Sequence, residues 1–282
     1  MEDSIWDAFH KQEQVSRTLE YAYDDFVLYQ VAKLLNKPES DALKRRSNNY
    51  KNVIDPETAW ARGRRADGSF INPFYPNLKA FYITEGTPMH YTWYVPHDQE
   101  GLINLMGGEE NYLARLDSMF TEDYYWHGNE PGHQIPFLFN YAGAPWMTQK
   151  YTRKIIREEY ATGPGGLCGN EDAGQMSAWY LFASAGFYPV CPGVPQYVLG
   201  SPIFDRATFH LENGNSFTII ALNNSDENCF IQSATLDGMP YNKSYINHRD
   251  LLEGKTLVLI MGNKPNKAWA VEQNSRPYSL SR

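Results

Sequence analysis

The stretch Gly169-Asn170-Glu171-Asp172-Ala173-Gly174-Gln175-Met176-Ser177-Ala178-Trp179-Tyr180-Leu181-Phe182-Ala183-Ser184-Ala185-Gly186-Phe187-Tyr188-Pro189 decides how the chain is read. Two adjacent carboxylates precede small residues and then an apolar run, which predicts a helix over 172–185. At Gly186 the pattern changes. Beyond it, short apolar segments at 196–199, 208–211, 217–221, 231–236 and 256–260 alternate with turn signals. Those signals, Asn213-Gly214-Asn215, Asn223-Asn224-Ser225-Asp226 and Asp237-Gly238, predict an antiparallel sheet or small sandwich.

Upstream of this stretch the pattern is helical. Val15, Leu19, Ala22, Phe26 and Tyr29 recur at helical spacing until Asn36-Lys37-Pro38, where proline blocks continuation. Further helices are predicted over 40–50, 89–106, 109–120, 134–141 and 148–160, with breaks at Gly107-Gly108 and Gly143-Ala144-Pro145. Residues 55–76, rich in Gly, Pro, Asn and Arg, read as a long ordered loop. The expectation is a mainly α protein: residues 1–186 form a helical, catalytic-type domain and residues 187–282 a β-rich module. Antiparallel helices joined by functional loops suggest part of a helical toroid, followed by a small antiparallel β-sandwich-like module.

The composition narrows the function. A formal net charge of −8 argues against nucleic acid and anionic membranes as partners, since the long-range field repels phosphate. No apolar run reaches the roughly 18 residues of a membrane span. Met1-Glu2-Asp3-Ser4 lacks the basic and apolar regions of a signal peptide. Cys168, Cys191 and Cys229 are an odd number without a Cys-x-x-Cys pair, so they read as buried thiols. Aromatic residues make up 15% of the chain, which favours a sugar site weakly because Tyr and Trp also fill cores.

Three loops concentrate the chemistry. In Thr84-Glu85-Gly86-Thr87-Pro88-Met89-His90-Tyr91-Thr92-Trp93, Glu85 precedes a helix among aromatic residues. Desolvation there would suit a general acid, while on residue pattern alone a helix-entry carboxylate stabilised by the macrodipole is the plainer reading. Trp126-His127-Gly128-Asn129-Glu130-Pro131-Gly132-His133 offers oxygen ligands from Asn129 and Glu130 suited to a hard cation such as Ca2+, or a plain helix cap. His127 and His133, six apart with proline between them, fit zinc poorly. In the third loop, Glu171 and Asp172 read as a base and its partner or as capping charges. His90, Trp93, His127 and Glu171 stand in the same loops and are the substrate-binding candidates. Carboxylate loops meeting at one end of a helical barrel are what a glycosidase needs: one acid for the leaving oxygen, one base for water.

The run Val15-Ser16-Arg17-Thr18-Leu19-Glu20-Tyr21-Ala22-Tyr23-Asp24-Asp25, the segment Asp55-Pro56-Glu57-Thr58 with Arg64 and Asp67-Gly68-Ser69, the three loops and Gly186-Phe187-Tyr188-Pro189 together resemble the glycoside hydrolase family 92 α-mannosidases, in that family's order. The resemblance implies a calcium-dependent, inverting exo-α-mannosidase acting on mannose-containing glycans, built from an N-terminal β-sandwich and a catalytic (α/α)6 barrel. It implies Glu85 as general acid, Asp172 as general base, and Asn129 and Glu130 as metal ligands. It also implies a periplasmic or secreted location. The sequence departs from the family where Asn170 stands two places before the base and Met89 replaces a frequent Trp. The resemblance further implies that the chain is the C-terminal portion of a larger enzyme whose N-terminal sandwich is missing, with open edges exposing apolar surface. The competing reading is a truncated, non-catalytic carbohydrate-binding or interaction protein derived from such an enzyme.

Overall fold

Helix α1, Gln14–Leu34, buries Val15, Leu19, Ala22, Phe26, Tyr29 and Ala32, the stripe expected from its spacing. The computed structural model describes residues 12–282, so the reading of Met1 to Ser4 lies outside the described residues. The α1 helix carries a second apolar stripe: Tyr21, Leu28, Val31 and Leu34 are exposed, Leu34 by 80%. A soluble helix is ordinarily polar on that side.

After α2, Ser40–Arg46, and a 3-10 turn, Asn49–Asn52, the segment 55–76 is ordered without regular structure. Its anchor is a buried ion pair, with Arg62 Nη1 donating to Asp55 Oδ2 at 2.7 Å. Thr58 Oγ1 and the Glu57 N–H also donate to Asp55, and Arg62 Nε donates to the Ile71 carbonyl. Burial alone would raise the Asp55 carboxyl, but these donors and the guanidinium charge hold it below the usual range.

The single helix expected over 89–106 is two: α3, Pro88–Tyr91, and α4, Gln99–Leu105. Pro96 interrupts the run, and Asp98 starts the second helix by accepting from the Gly101 N–H. Asp98 is wholly buried and also accepts from the Tyr50, Ser279 and Ser281 hydroxyls and the Ser281 N–H. Helix α5 spans Glu109–Thr121. The helix expected over 134–141 is a fully buried 3-10 segment, Ile135–Ala142, with Pro136 in its first turn and left-handed Gly143 at its end. It is followed by α6, Pro145–Glu158, and α7, Gln175–Ala185.

Gly186 ends α7 at φ 95°, where an added Cβ would lie 2.8 Å from Pro202. The strands follow: β1, Phe187–Tyr188; β2, Gln196–Leu199; β3, Arg206–His210; β4, Ser216–Leu222; β5, Phe230–Leu236; β6, Met239–Pro240; β7, Tyr245–Asn247; and, after α8 (His248–Leu252), β8, Thr256–Gly262. They form a three-stranded sheet in order β1-β2-β7 and a five-stranded sheet in order β3-β4-β8-β5-β6. Phe187, Leu199 and Ile246 of the first share one buried cluster with Phe217, Ile231, Leu257 and Leu259 of the second. The sheets are antiparallel except that β8 runs parallel to β4. The intervening β5, β6, β7 and α8 are long enough to return the chain in the same direction.

With 37% of residues helical and 16% in strands, the fold is helix plus sheet. The chain forms two compact units: residues up to Gly132 with Ser279–Arg282, and His133–Tyr278. That partition differs from the change of secondary structure at Gly186, because α6 and α7 belong to the unit that holds the sheets. Among the described residues no helix is long and apolar enough to cross a membrane.

Candidate active site

The Glu85 turn belongs to the first unit. Thr87 starts α3 as its N-cap with Pro88 in the first turn, and His90 closes a capping box. His90 Nε2 faces the Tyr124 carbonyl at 2.7 Å and therefore carries the proton. Its Nδ1 is then the acceptor for the Thr87 N–H at 3.2 Å. Burial lowers the His90 pKa, which keeps this neutral form. Both ring nitrogens of His90 are thus committed, Nδ1 within the turn and Nε2 to Tyr124. Gly86 packs closely on His90: a Cβ there would lie 3.3 Å from His90 Nδ1.

Glu85 is the residue with the unusual backbone, at φ 50°. A left-handed glutamate costs on the order of 1–2 kcal/mol and persists only where its surroundings impose it. Here Asn129 Nδ2 donates to the Glu85 carbonyl at 3.1 Å, and the Thr84 N–H donates to Ser16 Oγ at 2.9 Å. The Glu13 and Val15 N–H groups donate to the Phe81 and Tyr82 carbonyls. The Glu85 side chain itself is exposed, so the aromatic shielding expected around it is absent. Trp93 is fully buried, edge-on to Trp60 and Tyr112, and takes a core place in this unit.

Asn129 and Glu130 follow in the same unit, Glu130 opening a 3-10 turn, Glu130–Gly132. Glu130 Oε1 is shielded from solvent. Because Asn129 spends its NH2 on Glu85, its Oδ1 remains to face elsewhere. The donor chemistry, an amide oxygen and a carboxylate, fits a hard cation. Among the described residues no three His, Cys, Asp or Glu side chains cluster as a metal site, so further ligands would be carbonyl, water or ligand oxygens. His127 is 1% exposed, with Nδ1 2.7 Å from the Tyr125 hydroxyl.

The Asp172 turn belongs to the second unit. Asp172, Ala173 and Gly174 are successively left-handed, at φ 44°, 56° and 92°. Asp172 is exposed. Glu171 accepts from the Ser177 N–H and hydroxyl, each at 3.0 Å, and so caps the first turn of α7. Of the alternatives open for Glu171, capping is the one its contacts display. Below the turn, Gln175 reaches His133 Nδ1 and the Tyr188 hydroxyl, while Trp179 Nε1 donates to the His133 carbonyl. Beside it lies a cavity of about 500 Å³ lined by Tyr160, Leu167, Ser177, Tyr180 and Leu181. That volume is in the range of small-ligand sites.

Sequence reasoning missed Ser16 and Tyr124 as supports of the Glu85 turn. The Thr87-Pro88 pair followed by His90 is a helix-start signal that could have placed His90 in the cap. The other contacts join residues far apart in sequence and leave no local pattern.

The profile of the glycosyl hydrolase family 92 catalytic domain matches residues 4–263. A protein of Arthroderma benhamiae described as an uncharacterized secreted glycosidase is 32% identical over 294 residues, covering 94% of this chain and 38% of that protein. A family GH92 α-mannosidase of Bacteroides thetaiotaomicron superposes with a TM-score of 0.91 at 42% identity, over 96% of this chain and 38% of that one. A family GH92 inverting mannosidase of the same species gives a TM-score of 0.92 at 36% identity, over 96% of this chain and 40% of that one. The chain therefore spans about two fifths of the length of these relatives.

Proposed function

We propose, from the premise that the chain belongs to glycosyl hydrolase family 92, that it is the C-terminal portion of a calcium-dependent, inverting exo-α-mannosidase. Its helices would be part of an (α/α)6 barrel, completed by preceding helices and an N-terminal β-sandwich domain. The exposed apolar stripe on α1 supports that reading, because such a surface is covered in a finished barrel. The family and the secreted relative support a periplasmic or secreted location.

The observation that carries the catalytic assignment is shared by Glu85 and Asp172. Each is an exposed carboxylate on left-handed backbone immediately before a helix, where strain is held rather than relieved. Glu85 would give its proton to the leaving glycosidic oxygen. Asp172 would take a proton from the attacking water, so that the released mannose has inverted configuration. Asn129 and Glu130 would hold Ca2+. The ion would supply charge to hold the mannose hydroxyls and favour a distorted ring. Glu171 and His90 would set the turns that present the two carboxylates, with His127 lining the same loop as the metal ligands.

The test is release of mannose from an α-linked mannobiose, with the product followed by NMR. β-Mannose as the first product, and loss of activity on chelation, support the proposal. First appearance of α-mannose would overturn inversion. The competing reading is a non-catalytic carbohydrate-binding protein derived from such an enzyme. Mannose binding without turnover, in both the 282-residue chain and an N-terminally extended form, would establish it.

A further inference from the structure

The cavity beside the Asp172 turn has no part in the chemistry above. One wall is Tyr160, whose ring lies parallel to Trp179 at 5.8 Å between centroids and 4.9 Å from that of Tyr180. Its hydroxyl donates to the Met176 carbonyl at 3.0 Å, so the ring is held by its face and its far end. A second wall is the loop 161–166, which closes on itself. Tyr160 pairs with Leu167 as a β-bridge, and the Ala161 N–H donates to the Gly166 carbonyl at 2.8 Å. A Cβ at Gly166 would lie 2.0 Å from the Ala161 carbonyl oxygen, so glycine is required for so tight a loop. Helix α7 supplies the third wall through Ser177, Tyr180 and Leu181. The cavity, about 500 Å³, is thus formed in advance of any guest.

The lining decides what would enter. Tyr160 gives its proton to the Met176 carbonyl and Ser177 gives its proton to Glu171 at 3.0 Å, so neither donates to a guest. A sugar, with a hydroxyl on nearly every carbon, would exchange water for tyrosine rings and leucine side chains and lose hydrogen bonds. A neutral ring gains instead by covering Leu181 and Leu167, which are 67% and 37% exposed. A cavity of roughly 150 Å³ already holds benzene, so this one has room for a two-ring molecule.

Ser177 also ties the cavity to the turn. It lines the one, and its N–H and hydroxyl both hold Glu171, the neighbour of Asp172, in the other. The Gln175 N–H donates to the Asp172 carbonyl at 3.2 Å. When this first turn of α7 frays, a wall of the cavity moves with it. A guest that needs the wall in place favours the closed turn by mass action. We propose that the cavity is a binding site for a neutral small molecule carrying an aromatic or alicyclic ring, and that its occupancy steadies the Asp172 turn. The site stands whatever the role of Asp172; resting on the reading of Asp172 as the base, the guest is an effector of turnover.

The test titrates 2-naphthol into the 282-residue chain, followed by NMR. Saturable binding with a Kd on the order of 0.1 mM is expected, with amide shifts at Ala161, Ser177 and Leu181. Leu181→Glu, at an exposed position where the fold tolerates charge, should weaken binding at least about ten-fold. Leu181→Met should stay within about two-fold. At about ten times Kd, hydrogen exchange at the Gln175 and Ser177 amides should slow about ten-fold. Methyl α-mannoside should not displace the probe. Absence of saturation, or binding untouched by Leu181→Glu, overturns the site. Displacement by methyl α-mannoside overturns the ligand class, and unchanged exchange at both amides overturns the link to the turn. Loss of binding in the N-terminally extended form would make the cavity a seat for another part of the polypeptide and overturn the proposal. None of these readouts involves turnover, so a failure of the base reading shows in Asp172→Asn alone.

Discussion

The Glu85 and Asp172 turns pose the same backbone problem and solve it differently. Glu85 is a single left-handed residue fixed by Asn129 at its carbonyl, Ser16 one residue before it and the His90 capping box after it. Asp172 opens three successive left-handed residues restrained by the Glu171 cap on Ser177 and by the Gln175 N–H donated to the Asp172 carbonyl. The first turn is held by distant parts of its unit, the second by its own helix. An acid that must meet one leaving oxygen needs a fixed direction. A base acting on a small, freely rotating water tolerates a looser seat.

The largest effects should come from the carboxylates themselves. Glu85→Gln should lower turnover of a natural mannoside about 100- to 10,000-fold and spare much of the activity on an aryl mannoside. Asp172→Asn should suppress both substrates by a similar large factor, since water needs a base whatever leaves. Stopped assays with the two substrates check this. Equal loss in both variants would erase the distinction between the turns.

Next comes the loop of the Glu85 unit. Arg62→Met leaves Asp55 buried without its cation and should cost about 3–5 kcal/mol of unfolding free energy, measured by urea denaturation. The same change should leave Glu171–Ser177 capping intact, as amide exchange at Ser177 would report.

What could be read in advance follows from range. The α1 stripe and most strands were legible because helical spacing and Asn-Gly turns are local signals. The break between α3 and α4 was written in Pro96 and Asp98 but was masked by flanking apolar residues. The parallel β4–β8 pairing was not legible, because nothing within either strand specifies a partner more than 30 residues away. At the site, residue types at Glu85, Asn129, Glu130 and Asp172 could be read from motifs. The burial of Trp93, the commitment of both His90 nitrogens and the capping by Glu171 are three-dimensional facts.

Acid should separate the units more gently. His97 is fully buried, and burial depresses its pKa to about 4. Its neutral form is the folded one, so its stabilising contribution is complete above the unfolded value of about 6.5 and declines as pH falls toward 4. Asp98 is also held low; burial opposes ionisation, but the Ser281, Tyr50 and Ser279 donors outweigh it. Its contribution is lost at still lower pH. Thermal melts between pH 7 and 4 should show the first unit weakening, and His97→Phe should flatten the upper part of that slope.

The smallest effect belongs to the Asp172 side. Glu171→Ala should cost about 1 kcal/mol of stability through the lost cap, readable by calorimetry. It should disturb activity more than that figure suggests if the cap also holds Asp172 in place. A purely energetic loss, with kcat unchanged, would make the second turn as independent of its support as the comparison allows.

The fold-back of Ser279, Ser281 and Arg282 onto Asp98 and Glu100 has a consequence for biosynthesis. A ribosome finishes residues 12–132 long before it supplies the hydroxyls that satisfy the buried Asp98. The whole of His133–Tyr278 must be made in between. The first unit therefore waits, part-built, for residues 279–282 to emerge, and it closes only after the second unit has been made. Early termination anywhere downstream of the helices would leave that carboxylate without its serine partners. Nascent chains cut short would then be recognisable to quality control by a defect far upstream of the break.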